Sequence, residues 1–200
     1  MFLNRADAGE KLAAKLGPLG RDTIILGLPR GGVIVAHEVA KALKATLDVI
    51  VTKKLGAPGD SEFAIGAVGM STVVLNDEAK AVGKAYIDSA VRRLRGEIKE
   101  RLRNLRGDRP MPALKGKTVI LVDDGMATGA SMEAAVKEVT THKPKQVIVA
   151  VPVAPEDAVR RLSKFATVVC LEMPDPFYAV GNFYRDFDEV TEDDCKRHLK

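Results

Sequence analysis

Cysteine and histidine, the side chains of most thiol and imidazole chemistry, are scarce in this 200-residue chain. There are two cysteines, Cys170 and Cys195, and they form no metal-ligand spacing. Cys170 lies in an apolar run and reads as a small buried thiol; Cys195 lies in a charged tail. A reducing cytoplasm is the simplest setting for such a chain. The three histidines, His37, His142 and His198, have no partners at catalytic spacing, which argues against Ser/His or Cys/His nucleophilic catalysis. No apolar run approaches a membrane span, and Met1-Phe2-Leu3 is followed by charged residues without a signal-peptide pattern. A cytoplasmic protein with no membrane contact is therefore expected. The net charge of +4 suits anionic small molecules and does not demand nucleic acid. Aromatic residues are scarce, with six Phe, three Tyr and no Trp, yet four of them fall between Phe177 and Tyr184. That concentration suggests a flat stacking surface or a plug that closes the core.

What the chain does have is material for one substantial core: 46% hydrophobic and 29% charged residues. Residues 1–16 have the pattern of an amphipathic helix, with Leu3, Ala6, Leu12, Ala13 and Leu16 on its apolar side. A strand over 22–28, a helix from Gly31 to about Leu43 and a strand over 47–52 follow. Residues 53–62 read as irregular, and 63–76 as a β-hairpin turned near Gly69 to Ser71. A long helix, in one piece or two, is expected from Asp77 to Leu105, broken by Gly107 and Pro110-Met111-Pro112. A strand over 119–122, a helix over 129–142, a strand over 146–151, a helix over 155–164 and a strand over 167–171 complete the pattern. Such alternation predicts an α/β fold, a mainly parallel sheet with helices on both faces. Residues 1–200 read as a single domain with a helical insertion at 77–109 and an aromatic, then acidic, tail at 173–200.

The most informative stretch is Val119-Ile-Leu-Val-Asp-Asp-Gly-Met-Ala-Thr-Gly-Ala-Ser131. Four apolar residues suit a central parallel strand covered on both faces. Asp123 and Asp124 then sit at its carboxyl end, where open α/β sheets hold ligands. Gly125, Ala127, Gly129 and Ala130 keep side chains away, so backbone N–H groups can approach a phosphate at a helix N-terminus. Thr128 and Ser131 add hydroxyl donors. Acids for hydroxyls beside a cradle for phosphate fit a phosphorylated sugar. On these residues the chain resembles the phosphoribosyl diphosphate (PRPP) motif of type I phosphoribosyltransferases. The resemblance implies that Asp123 and Asp124 contact the ribose hydroxyls, and that Gly125, Met126, Ala127, Thr128, Gly129, Ala130 and Ser131 bind the 5-phosphate.

Further residues take roles from the same resemblance. Pro29-Arg30-Gly31-Gly32 stands where the family has its diphosphate loop, with Arg30 able to pair with a diphosphate oxygen in fork geometry. Lys53 and Lys54 follow the second core strand, and at least one should face the diphosphate. The loop after them, with Gly56, Pro58 and Gly59, resembles the region that closes over PRPP. The Pro-Asp-x-Phe and Val-Gly pattern of residues 174–181 resembles a base-binding segment, which makes Phe177 and Tyr178 acceptor-binding candidates. Mg²⁺ is the implied cofactor, with Asp123, Asp124 and Asp186 as candidate ligands.

The implied reaction is phosphoribosyl transfer from PRPP to a nitrogen acceptor, most simply a nucleobase, with release of diphosphate. Catalysis would rest on Arg30, Lys53 and Lys54, with no protein nucleophile. PRPP, a small nitrogenous acceptor and a second copy in a homodimer are the expected partners. One departure bears on the acceptor. Hypoxanthine- and guanine-using relatives carry an Asp just before Thr-Gly; here that position is Ala127, as in the adenine enzymes. The alternative is a non-catalytic PRPP-binding regulator. Seven basic residues between Arg92 and Arg106 would then face nucleic acid; by default they form a solvated helix face.

Overall fold

The computed structural model describes every residue except Arg21 and Lys200, and only the backbone of Glu62. In chain order the elements are α1 (Arg5–Leu16), β1 (Thr23–Gly27), α2 (Gly31–Leu43), β2 (Thr46–Val49), β3 (Lys53–Ala57), β4 (Asp60–Val68) and β5 (Val73–Leu75). A 3-10 turn (Asp77–Ala81) leads into α3 (Lys84–Arg106), then β6 (Thr118–Val122), α4 (Ala130–Thr141), β7 (Gln146–Val153), α5 (Glu156–Leu162) and β8 (Thr167–Glu172). A second 3-10 turn (Val180–Phe183) and α6 (Glu192–His198) follow.

Five strands form a parallel sheet in the order β2-β1-β6-β7-β8, as the alternation predicts. The side-chain period of two splits the core into two layers. Ile25, Ile120, Val122, Ile148 and Ala150 face Leu12 of α1 and Val35 and Val39 of α2. Ile24, Leu26, Val119, Leu121, Val149 and Val151 face Met132 and Val136 of α4 and Leu162 of α5. Because β1 leads leftward to β2 and β6 leads rightward to β7, the strand order reverses between β1 and β6. Their adjacent carboxyl ends are the switch point where such sheets bind ligands.

A second sheet, β3-β4-β5, is antiparallel. Its residues Leu55, Ile65 and Val68 share an apolar cluster with Leu94 and Ile98 of α3 and Cys195 and Leu199 at the tail. Three segments differ from the sequence reading. Residues 53–62, expected as irregular, are a hairpin: Pro58 and Gly59 turn it, and Gly59 has φ +80°, the left-handed value a type II turn needs. The glycines that suggested a loop serve the hairpin itself, since a Cβ on Gly56 would lie 2.6 Å from Ser61 Cα across the strands. Helix α1 begins only at Arg5, because the Asn4 side chain accepts from Asp7 N–H and caps it there. Leu3 precedes the cap and is exposed rather than on the apolar side. The acidic tail contains α6, whose Thr191 and Asp194 form a capping box. No helix among the described residues is long and apolar enough to cross a membrane.

Candidate functional site

The switch point brings together the two loops singled out in the sequence. Leu28 N–H donates to Val122 O, locking the start of the β1–α2 loop to the end of β6. The Pro29–Arg30 peptide is cis. Helices α2 and α4 both open at this edge, and neither has a side-chain cap on its first turn. Apart from Val33 N–H, which donates to Arg30 O, the N–H groups of their first three residues are therefore left for solvent or a ligand. Gly129 precedes α4 with φ +73°, a backbone conformation that favours glycine.

Asp123 and Asp124 lie between these two helix ends, and the glycines make room for them. A Cβ on Gly31 would fall 1.8 Å from Asp124 Oδ2, and one on Gly32 would fall 2.7 Å from Asp123 Oδ1. The Gly-Gly pair thus serves close approach of loop and acids as well as N–H exposure. Asp123 is pushed well above the usual carboxylate range, first by burial and then by the like charge of Asp124, although it accepts a hydrogen bond from Asp124 N–H at 2.9 Å. Asp124 is held differently: its Oδ2 accepts from Arg5 Nε at 2.7 Å.

Other expected residues fall around this centre. Arg30 reaches Glu189 at 2.9 Å. Lys53 Nζ pairs with Glu97 of α3 at 2.8 Å, while Lys54 follows it in β3 with its side chain exposed. Thr52 Oγ1 donates to Ser131 O, tying the start of this segment to the first turn of α4. The Met126 side chain does not line the loop's outer face; it is buried in the sheet core beneath Gly129. Gly125 leaves space for Val180, whose methyl would be 2.4 Å from a Cβ there. Thr128 O accepts from the guanidinium of Arg161. Phe177 is half-buried and stacks on Phe183 at 5.4 Å, whereas Tyr178 is fully on the surface. Beside Phe177 lies a cavity of about 390 Å³ that also borders Glu156, Asp157, Arg160 and Asp175.

Asp186 is exposed on the tail, and its N–H donates to Leu3 O. Among the described residues no three His, Cys, Asp or Glu side chains gather as a metal cluster, so Asp123, Asp124 and Asp186 do not form a ligand set together. A divalent cation bound by one carboxylate plus substrate oxygens needs no such cluster. Burial pushes the Cys170 thiol up to about 11 and raises that of Cys195, which disfavours the thiolate form of both.

Two residues were missed by sequence reasoning. Arg5 is one. Tyr184 is the other: it is buried, its hydroxyl donates to Asp124 O, and its pKa is raised first by burial and then by Asp124. Only the clustering of aromatic residues hinted at Tyr184, and no local pattern pointed to Arg5. The basic helix is also less free than its sequence suggests. Arg93, Arg101, Arg103 and Arg106 pair with Glu97, Glu192, Asp108 and Asp48.

A parallel sheet with an acid pair and two glycine loops at its switch point places the chain in the α/β class that binds ligands at the carboxyl ends of its strands. The family model described as "Phosphoribosyl transferase domain" matches residues 3–188, and the chain belongs to that family. It is 43% identical over 205 residues to two Mycobacterium tuberculosis proteins (strains CDC 1551 / Oshkosh and H37Rv) named for phosphoribosyl transfer. The match takes in all of this chain and 46% of theirs, so the chain spans about half the length of these relatives. The crystal structure of TT1426 from Thermus thermophilus is 48% identical, with a TM-score of 0.87 over 99% of this chain and 97% of that one. A hypothetical protein from Neisseria gonorrhoeae, solved with bound ppGpp, shares the fold at 15% identity and TM-score 0.51, covering 100% and 97% of the two chains.

Proposed function

We propose that this chain transfers the phosphoribosyl group of PRPP to a nitrogen nucleophile, a nucleobase being the simplest acceptor, and releases diphosphate. One observation carries the reading: adjacent strands β1 and β6 each deliver an uncapped helix N-terminus through a glycine loop, with two carboxylates between them. Two anion cradles flanking a hydroxyl-binding acid pair match a sugar phosphorylated at both ends.

In this reading the loop 125–131 holds the 5-phosphate and Asp123 and Asp124 hold the ribose hydroxyls. Residues 29–32 hold the diphosphate, and Arg30 exchanges Glu189 for a diphosphate oxygen. Mg²⁺ would be held by Asp123, the carboxylate that Arg5 does not engage, and would neutralise charge on the leaving group. Lys53 and Lys54 add positive charge at the start of β3. Phe177, beside its cavity, offers a ring face to a planar acceptor. The reaction then needs orientation and electrostatics rather than a protein nucleophile. Ala127 cannot exchange a proton with an acceptor nitrogen, which disfavours hypoxanthine and guanine and makes adenine the first base to try.

The test is calorimetric titration of PRPP with Mg²⁺ into the wild type and into Asp123→Asn/Asp124→Asn. The double variant keeps shape and loses charge, so affinity should fall at least tenfold, about 1.4 kcal/mol. Equal affinity in a folded double variant removes the acid pair from the site. Turnover assays with adenine, hypoxanthine and guanine then address the acceptor.

A further inference from the structure

Helix α1 belongs to none of the segments assigned a role so far, yet its first residue enters the site. Arg5 Nε donates to Asp124 Oδ2 at 2.7 Å, and Nη1 donates to the carbonyl of Asp188 at 2.8 Å. The guanidinium carbon lies 3.8 Å from the centre of the Phe187 ring. A Cβ on Gly31 would come within 2.7 Å of Arg5 Nε, so the same group borders the diphosphate loop. An ion pair, a carbonyl and an aromatic face together fix one planar cation in place. The Arg5 and Asp124 side chains are only 11% and 16% exposed.

Stability alone does not account for this arrangement. Removing two charges from water costs several kcal/mol per ion, and a buried pair is often no better than an apolar one of similar size. The carboxylate that Arg5 holds is also one of the two placed at the ribose. We propose that Arg5 is a positioning residue of the ribose site: it fixes the Asp124 carboxylate in one orientation, and the Phe187–Asp188 segment of the tail fixes Arg5. The inference rests on the reading of Asp123 and Asp124 as ribose-binding acids. An arginine suits the task because its rigid fork gives Nε to one acceptor and Nη1 to another while its flat face stacks; lysine supplies charge without that geometry.

The experiment separates ribose from phosphate. Wild type, Arg5→Gln, Arg5→Lys and Phe187→Leu are titrated with PRPP, with ribose 5-phosphate and with inorganic diphosphate, all with Mg²⁺, and their melting is followed by circular dichroism. Arg5→Gln should bind the two ribose ligands at least tenfold more weakly and inorganic diphosphate within twofold of wild type. Arg5→Lys should recover part of the loss, and Phe187→Leu should fall between wild type and Arg5→Gln. Equal weakening toward all three ligands, in step with a lowered melting temperature, would mean that Arg5 only supports the fold, and the proposal fails. Unchanged ribose affinity in Arg5→Gln also overturns it. If Arg5→Gln does not fold, Arg5→Lys and Phe187→Leu decide by the same ribose-against-diphosphate split. A wild type that binds no PRPP refutes the proposed function itself, a different outcome from a wild type that binds and a variant that binds equally well.

Discussion

Strand β6 buries its last four residues, whereas β5 buries none. The two sheets they belong to are held by different means. The parallel sheet is covered on both faces by helices, so its order comes from packing against Leu12, Val39, Met132 and Leu162. The antiparallel sheet has α3 on one side and an open edge at β5, with Phe63, Val73 and Leu75 exposed. Polar ties supplement its apolar contacts. Glu138 of α4 accepts from the N–H and hydroxyl groups of both Ser71 and Thr72 at the β4–β5 turn. Tyr86 of α3 donates to Gly56 O, and Lys53 pairs with Glu97. Apolar packing on both faces thus surrounds the switch-point loops of the parallel sheet, while the sheet beside them adds single polar ties to the apolar cluster on one face.

The contrast predicts a graded series of effects. Leu121→Ala in β6 opens a cavity in a fully buried position and should cost about 2–5 kcal/mol, whereas Leu75→Ala in β5 should stay within about 0.5 kcal/mol. Chemical denaturation of the two variants checks this, and similar losses would erase the distinction between the sheets. Glu138→Gln comes next, at about 1–3 kcal/mol, because it weakens hydrogen bonds to a charged acceptor. Burial alone would raise the Glu138 pKa, but the hydrogen bonds from Thr72 and Ser71 outweigh it and lower it. Its ionised form therefore adds stability above the unfolded-state value, and that contribution is lost as pH falls through the lower folded value. Wild type and Glu138→Gln should melt apart at neutral pH and converge below about pH 4. A constant gap between them on acidification would mean that charge is not what holds the turn. Lys53→Met, which breaks a half-exposed pair, should have the smallest effect, about 0.2–1 kcal/mol and diminishing with added salt. A larger, salt-independent loss would show that this pair anchors the antiparallel sheet.

The same contrast explains what could be read in advance. The β6 strand, its loop and α4 were legible because a continuous apolar run, two acids and small residues leave few alternatives. The β1–α2 loop was legible by the same logic. The hairpin at 53–68 was not, because Lys53, Lys54, Gly56, Pro58 and Gly59 carry no alternating apolar signal and turn residues dominate. Helix α6 is short and charged, and its capping box was the one local cue. Arg5 was invisible for another reason: its partner lies 119 residues away, and separation of that kind leaves no mark on spacing. Asp186 had the right residue type, but the register of the tail put its backbone against Leu3 and its side chain in solvent.

Phe2 and Tyr184 pair as a parallel bridge, with Phe2 N–H donating to Phe183 O and Arg185 N–H donating to Phe2 O. Through that bridge a segment made early waits for one made much later. When a ribosome has finished α4, both helix N-termini of the switch point have been made, but the ring that seats Arg5 has yet to be synthesised. Loop closure on this scale is slow to nucleate, and domains assemble in the order their contacts become available. The seam between residue 2 and residue 184 therefore closes late, and a nascent chain stopped short of Phe187 would carry the β6–α4 loop without the ring that seats Arg5 beside Asp124.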